Sequence, residues 1–293
     1  MENSVINESI FKAKILIEAL PYIEKFNGKI VVIKYGGAAL VDTKIKETIM
    51  QDIALMKLVG MKPVLVHGGG PEINAQLKIA GIESKFIDGL RVTDAPTMEV
   101  VEMVLAGKVN KSIVSDLERH GVKAVGISGK DGNTFYTEKI NKNGIDYGFV
   151  GDIKKVDPSL LCSLIENDFI PVVSPIGKDK EGNTYNINAD YAAVAVAGAL
   201  KAQKLVFLTD VSGVLKDVDD PTSIMSFLKA DKVPSLIDDG TISGGMIPKV
   251  ECCMAGVRKG VKNVHILDGR IEHSLILEIF TPEGIGTMIE KDE

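Results

Sequence analysis

The chain has 293 residues, 45% of them hydrophobic, enough for one large α/β domain or two lobes. Its 34 Lys and Arg against 40 Asp and Glu give a net charge of −6 and a pI near 5.4, which argues against nonspecific binding to nucleic acid or an anionic membrane. The longest apolar run, residues 191–200, falls far short of the roughly 18 residues that span a bilayer, and the N-terminus shows neither a basic region nor a small-residue cleavage site. A cytoplasmic enzyme with a small-molecule partner is expected.

In chain order, residues 6–26 place Ile6, Ile10, Ala13, Leu16 or Ile17, Leu20 and Ile23 at helical spacing around Pro21, which predicts an amphipathic helix with a kink. The pattern suits a helix packed on its own domain and one that reaches a neighbouring subunit equally well. Ile30-Val31-Val32-Ile33-Lys34-Tyr35-Gly36-Gly37 then reads as a strand buried on both faces. It delivers a lysine into a turn without Cβ atoms, where backbone N–H groups can approach an anion. Pro63-Val64-Leu65-Val66-His67 is a second such strand, followed by Gly68-Gly69-Gly70 and a helix with Pro71 near its first turn. Two bare strand ends at the carboxyl edge of a parallel sheet suit one anionic ligand better than two coincidental turns.

Gly89-Leu90-Arg91-Val92-Thr93-Asp94 sets one arginine in a glycine-containing loop ahead of a helix. Its guanidinium fork matches a carboxylate, although a lone arginine is more often a surface residue. Further strand-like runs at 123–128, 170–174, 204–209 and 263–267 alternate with helical patterns, which predicts a largely parallel sheet covered by helices. Residues 133–156, with Gly144, Gly148 and Gly151, read instead as hairpins built onto that sheet. Asn186-Ile187-Asn188-Ala189-Asp190 opens an Ala-rich helix, with Asn188 as N-cap and Asp190 favoured by the helix dipole. Asp210-Val211-Ser212-Gly213-Val214-Leu215 follows a strand, and Gly244-Gly245-Met246-Ile247-Pro248-Lys249 pairs glycines with another lysine. A soft boundary between lobes is expected near residue 200.

Cys162 stands alone and Cys252 and Cys253 are adjacent, which matches neither a metal knuckle nor a redox pair. The histidines show no ligand spacing, so a protein-held metal is not expected. No Gly-Lys pair is followed by Ser or Thr, so a Walker P-loop is absent. The protein-kinase signatures are missing too, and Gly68-Gly69-Gly70-Pro71-Glu72-Ile73 lacks the third glycine of a dinucleotide fingerprint.

Taken in order, Ile33-Lys34-Tyr35-Gly36-Gly37, His67-Gly68-Gly69-Gly70-Pro71, Gly89-Leu90-Arg91-Val92-Thr93, Asn186-Ile187-Asn188-Ala189-Asp190, Thr209-Asp210-Val211-Ser212-Gly213-Val214 and Gly245-Met246-Ile247-Pro248-Lys249 resemble the amino acid kinase family, and within it the acetylglutamate kinase group. The resemblance covers the chain from about Lys29 onward. It implies a three-layer α/β/α sandwich with an open, mainly parallel sheet and two lobes. Residues 1–28 would form an N-terminal helix, 29–200 an amino-acid-substrate and dimerisation lobe, and 201–293 an ATP lobe with a C-terminal regulatory segment.

By the same resemblance, Lys34 and Lys249 would be transition-state lysines and Asp190 would orient both. Gly69, Gly70, Arg91 and Asn186 would hold N-acetyl-L-glutamate. Gly36 and Gly37 would lie against the nucleotide phosphates, and Asp210, Val211, Ser212, Gly213, Val214, Leu215, Thr241, Ile242 and Ser243 would line the site for ATP with Mg2+. Gly244 stays unassigned, because some relatives carry Asp there. The implied reaction moves the ATP γ-phosphoryl group to a side-chain carboxylate already ionised at neutral pH, so no general base is needed.

The run from His265 to Arg270, and that from Leu277 through Glu278, Glu283 and Gly284 to Thr287, resemble the C-terminal signature of the arginine-inhibited subgroup. That resemblance implies an L-arginine site at Glu278 and Gly284, with His265 and Lys216 as weaker members, and a hexameric trimer of dimers laced by N-terminal helices. A nitrogen-signalling PII protein is a further partner to be tested. The competing readings are a carbamate, glutamate or aspartate kinase, and a noncatalytic arginine sensor like the kinase-like domain of acetylglutamate synthases.

Overall fold

The structure, a computed structural model, describes residues 2–37, 42–142, 144–282 and 284–291. Glu283, within the C-terminal run noted above, lies outside the described residues. In chain order the strands are β1 Ile30–Tyr35, β2 Lys62–His67, β3 Lys85–Ile87, β4 Leu90–Val92, β5 Ala124–Ser128, β6 Phe135–Lys142, β7 Ile145–Val156, β8 Ile170–Ser174, β9 Ile176–Lys178, β10 Thr184–Asn186, β11 Lys204–Thr209, β12 Phe227–Lys229, β13 Asn263–Asp268 and β14 Thr287–Glu290. The helices are α1 Glu2–Phe26, α2 Thr43–Leu58, α3 Gly70–Ile79, α4 Ala95–Glu102, α5 Asn110–Arg119, α6 Ser159–Glu166, α7 Ala189–Ala199, α8 Val233–Asp238, α9 Met246–Arg258 and α10 Ser274–Phe280. A π-helical stretch, Met103–Val109, joins α4 to α5.

The main sheet runs in the order β12-β14-β13-β11-β1-β2-β8-β5 and is parallel from β13 through β5, while β14 pairs antiparallel with β13. It is continuous across residue 200, because β1 pairs with β11. Strand alternation divides the core between its two faces: Val31, Ile33 and Leu65 pack on one side, and Val32, Val64 and Val66 on the other. Burying each such side chain contributes about 1.5–3 kcal/mol. This near-continuous apolar character is why the six core strands are readable from sequence.

The hairpin region departs from expectation. β6 and β7 pair with each other and with β9 and β10 in a small sheet that closes on itself, instead of extending the main sheet. Gly151 permits the closure, since a Cβ there would fall 2.3 Å from the Thr137 side chain and 2.6 Å from that of Tyr185. The N-terminal helix runs through Pro21 and touches the rest of the chain through its last turn, where Phe26 is buried. Ile6, Ile10, Phe11, Leu16, Ile17 and Leu20 all remain exposed, so the apolar pattern of α1 does not serve its own domain.

Candidate active site

The register between β1 and β2 sets Tyr35 beside His67, which brings the two glycine turns together at the carboxyl edge of the sheet. Gly68 N–H donates to Tyr35 C=O at 2.8 Å. A Cβ on Gly36 would come within 3.4 Å of Lys34 Nζ and 3.5 Å of Gly68 N, so the missing side chain leaves room for the ammonium group and the neighbouring turn. Gly37 follows with φ +66°, a backbone conformation natural to glycine. Behind the turn, His67 is fully buried. Its Nδ1–H donates to Gly68 C=O at 2.8 Å.

Burial and the nearby Lys111 push the His67 imidazole down to about 4. Its neutral form is therefore the one the fold holds. An unfolded histidine takes up a proton below about pH 6.5, whereas this folded one resists until about pH 4, so stability is lost as pH falls through that interval. We expect His67 alone to remove on the order of 2 kcal/mol between pH 7 and pH 5. Urea unfolding at the two pH values checks this, and a His67→Leu variant with the same pH slope as the parent would count against it.

Beside the second glycine turn lies a cavity of about 190 Å³ lined by Gly68, Gly69, Gly70, Arg91, Asn186 and Asn188, with apolar walls from Leu105, Val150 and Pro175 among others. Arg91 lies on β4 of the short β3–β4 hairpin, which turns at Asp88 and Gly89, and not in a loop as expected. The residue is 7% exposed. Ser84 Oγ accepts from Nη1, Gly70 C=O is 3.5 Å from Nη2, and the Phe86 ring lies 4.7 Å beneath. Among the described residues no carboxylate pairs with it, and burial pulls its pKa down. A buried cation without an anion, facing a cavity, is a site for a carboxylate ligand. Asn186 Nδ2 donates to Thr93 Oγ1 at 3.2 Å, which fixes the opposite wall.

Asn188 caps α7 as expected, accepting from the N–H groups of Asp190 and Tyr191 at 2.8 and 3.4 Å. The cap holds Asp190 in the first helical turn, where Oδ1 lies 2.9 Å from Lys34 Nζ. The expected second contact of Asp190, with Lys249, is replaced in the structure by another pair: Lys249 Nζ lies 3.9 Å from Asp210 Oδ1. Asp210 directly follows β11, and Lys249 occupies the first turn of α9. A lysine at a helix N-terminus opposes the dipole, and a nearby anion offsets this. β1 and β11 are adjacent, and α7 packs against α9, so both lysines belong to one edge of the sheet.

The segment after β11 is anchored by Thr209 Oγ1, which accepts from Val211 N–H, and by Thr287 Oγ1, which accepts from Val214 N–H at 2.8 Å. Gly213 is required here: it has φ +147°, and a Cβ would fall 2.5 Å from Thr287 Oγ1. Asp210 is exposed, Val211, Ser212 and Leu215 are half-buried, and Gly213 and Val214 are buried. Thr241, buried Ile242 and exposed Ser243 lead into α9 from the other side, with Ile242 N–H donating to Leu236 C=O at 2.7 Å. Gly244 at φ +54° and Gly245 have open space where side chains would stand, which suits close approach of a bulky anion.

The amino acid kinase family model matches residues 29–268, which hold both glycine turns, Arg91, Asp190 and both lysines. The chain belongs to the amino acid kinase family. Among its relatives, the acetylglutamate kinase of Heliobacterium modesticaldum is 57% identical over 97% of this chain and 99% of that protein. The acetylglutamate kinase of Caldanaerobacter subterraneus is likewise 57% identical, over 97% and 95%. Of solved structures, N-acetylglutamate synthase from Neisseria gonorrhoeae, complexed with coenzyme A and N-acetyl-glutamate, superposes with TM-score 0.85 at 28% identity, covering 96% of this chain and 64% of that one. Carbamate kinase from Giardia lamblia, at TM-score 0.65 and 19% identity over 90% and 99%, shares the fold.

Away from this edge the amino acid kinase chain carries a second cleft of about 380 Å³, in which His265, Glu278 and Gly284 meet Tyr22, Lys25 and Phe26 of α1. His265 Nδ1 lies 2.6 Å from Glu278 Oε1, and Lys204 Nζ lies 2.9 Å from His265 Nε2. Burial would raise the Glu278 pKa, but His265 and the N–H groups of Ile285 and Gly286 bring it below the usual range. Gly284, at φ +61°, packs so closely that a Cβ would fall 2.7 Å from Glu278 Oε2. Lys216 is not among the residues that line this cleft. It is exposed on the loop after β11, its N–H bonded to Ser223 C=O.

Sequence reading missed Ser84 and Phe86, which hold Arg91, and Leu105, which closes the cavity over Gly69. The first two carried a signal, since Lys85-Phe86-Ile87 and Leu90-Arg91-Val92 flank a glycine turn at hairpin spacing. Leu105 carried none, because a π-helical register cannot be told from an α-helical one by periodicity.

Proposed function

We propose that this chain is an N-acetyl-L-glutamate kinase, transferring the γ-phosphoryl group of ATP to the side-chain carboxylate in arginine biosynthesis. The observation that carries the substrate class is the buried Arg91 guanidinium, without a carboxylate partner among the described residues, at the cavity beside the glycine turns. The name is that of relatives sharing 57% identity over nearly the whole chain. Residues 29–200 form the substrate lobe on this reading, and 201–293 the nucleotide lobe.

In the mechanism, Arg91 and the polar walls at Asn186 and Gly69-Gly70 hold acetylglutamate with its side-chain carboxylate towards the glycine turns. A carboxylate oxygen forms the new O–P bond as the bond from the γ-phosphorus to the ADP oxygen breaks. Lys34, held by Asp190 against Gly36, stabilises charge on the migrating group from one side. Lys249 does so from the other, and Asp210, its partner here, borders the nucleotide segment. Among the described residues no group of three His, Cys, Asp or Glu side chains is arranged to hold a metal. Mg2+ would arrive with the nucleotide phosphates, where it would supply charge neutralisation. An ADP-release assay across acetylglutamate, glutamate, aspartate and carbamate tests the assignment; equal or faster turnover with another acceptor would reject it.

L-Arginine is the proposed inhibitor, bound in the second cleft, where Glu278 suits its guanidinium or α-amino group. A related structure, N-acetylglutamate synthase from Neisseria gonorrhoeae, is described as a complex with coenzyme A and L-arginine. Helix α1 forms one wall of the cleft and leaves its apolar residues exposed, which supports a role in joining copies of the chain into a hexamer. Deleting residues 1–26 should leave ADP release intact but abolish both the hexamer and the arginine response. Native mass measurement reads the first effect and an arginine titration the second; hexamers persisting in the truncated protein would refute this role for α1.

A further inference from the structure

Behind the substrate cavity lies a buried polar chain that the mechanism above does not use. Asn110 begins α5 where the π-helical stretch ends, and it is fully buried. Its Nδ2 group lies 3.1 Å from His67 Nε2, 2.9 Å from Val172 C=O on β8 and 3.4 Å from Ile127 C=O on β5. Its Oδ1 accepts from Lys111 Nζ at 3.1 Å, and the same ammonium group donates to Gly126 C=O at 2.8 Å. One amide thus reaches β2, β5 and β8 at the edge where the ligand cavity opens.

The surroundings are built around that amide. Gly126 in β5 has no Cβ, and one added there would fall 1.8 Å from Asn110 Oδ1 and 2.8 Å from Lys111 Nζ. The contacts also settle the imidazole tautomer. Gly68 C=O can only accept, so Nδ1 carries the proton, and Nε2 is left to accept from the Asn110 amide. The amide therefore fixes the ring, and the ring fixes the carbonyl of Gly68. Pinning that carbonyl orients the peptide planes that follow, whose N–H groups belong to Gly69 and Gly70.

We propose that Asn110 and His67 are positioning residues for phosphoryl transfer, acting through the Gly68 carbonyl to aim the backbone N–H groups of the second glycine turn at the migrating group. The inference rests on the kinase reading and adds a layer beneath it. Neither side chain touches substrate on this account. Their loss would be felt in turnover more than in nucleotide affinity, because a misaligned donor is a transition-state defect.

The test compares kcat, the KM for each substrate and thermal unfolding for Asn110→Ala, His67→Leu and His67→Asn. An asparagine at position 67 sets a side-chain N–H near the place of Nδ1, so it can still bond Gly68 C=O. We expect Asn110→Ala and His67→Leu to lower kcat about tenfold or more with the KM for ATP within about twofold. His67→Asn should recover most of that loss even if its melting temperature stays low. The proposal is overturned if His67→Leu and His67→Asn have the same kcat, or if all three lose thermal stability while kcat stays within about twofold of the parent. Should Asn110→Ala fail to fold, the two His67 variants decide the matter. The parent enzyme assayed in parallel with acetylglutamate keeps a failure of the kinase reading distinct from a failure of this one.

Discussion

Replacing Lys34 or Lys249 by alanine will lower kcat by up to about a thousandfold while changing the KM for ATP by less than about threefold. Two charges ~4 Å apart at an effective dielectric of ~20 interact by about 4 kcal/mol, and that energy corresponds to about three decades in rate. The nucleotide retains its other contacts along the Asp210 and Thr241 segments, so ground-state binding should survive. Lys34 also neutralises Asp190, whose Oδ1 it meets at 2.9 Å. Removing the lysine alone therefore leaves a carboxylate facing the incoming phosphate, a repulsive term that Lys34→Ala/Asp190→Asn should partly relieve. The two positions should thus be non-additive in a double-mutant cycle. Steady-state kinetics showing near-normal turnover in both lysine variants would remove these residues from the mechanism.

Arg91→Ala will raise the KM for acetylglutamate about a hundredfold with a smaller change in kcat. A charged hydrogen-bonded contact to a carboxylate in a desolvated cavity contributes about 1.5–3 kcal/mol, and tenfold corresponds to about 1.4 kcal/mol. A second signature separates ligand binding from structural support. Among the described residues no anion pairs with the buried guanidinium, so its removal should leave the melting temperature of the free enzyme nearly unchanged, despite the lost contacts with Ser84 and Phe86. The upward shift that acetylglutamate gives the parent enzyme should disappear. Arg91→Lys should not restore it, because an ammonium group cannot make the planar fork. A variant that binds acetylglutamate normally but melts much earlier would make Arg91 a structural residue.

The buried parallel strands were legible because they announce themselves locally. Val31, Ile33, Val64 and Val66 are apolar on both faces of their strands, and the glycine clusters at 36–37 and 68–70 mark where those strands stop. Lys34, Arg91, Asp190 and Lys249 were singled out by the resemblance of their motifs to the amino acid kinases, since a lone arginine or loop lysine reads locally as a surface residue. The two strands at one end of the main sheet were not legible: β12 and β14 are three and four residues long and carry no alternation strong enough to separate them from loop. Nor was the closed sheet of β6, β7, β9 and β10, since pairing partners follow from packing and not from the pattern within one strand.

Taken alone, the order of residues determined which segments become core and which side chains stand at strand ends, because hydrophobic periodicity and glycine act over a few residues at a time. Partnership was decided in three dimensions. Lys249 faces Asp210, and Asn110 meets His67 across 43 residues. Such pairs depend on strand register and helix packing, which sum contributions from the whole chain, so no local stretch of sequence contains them.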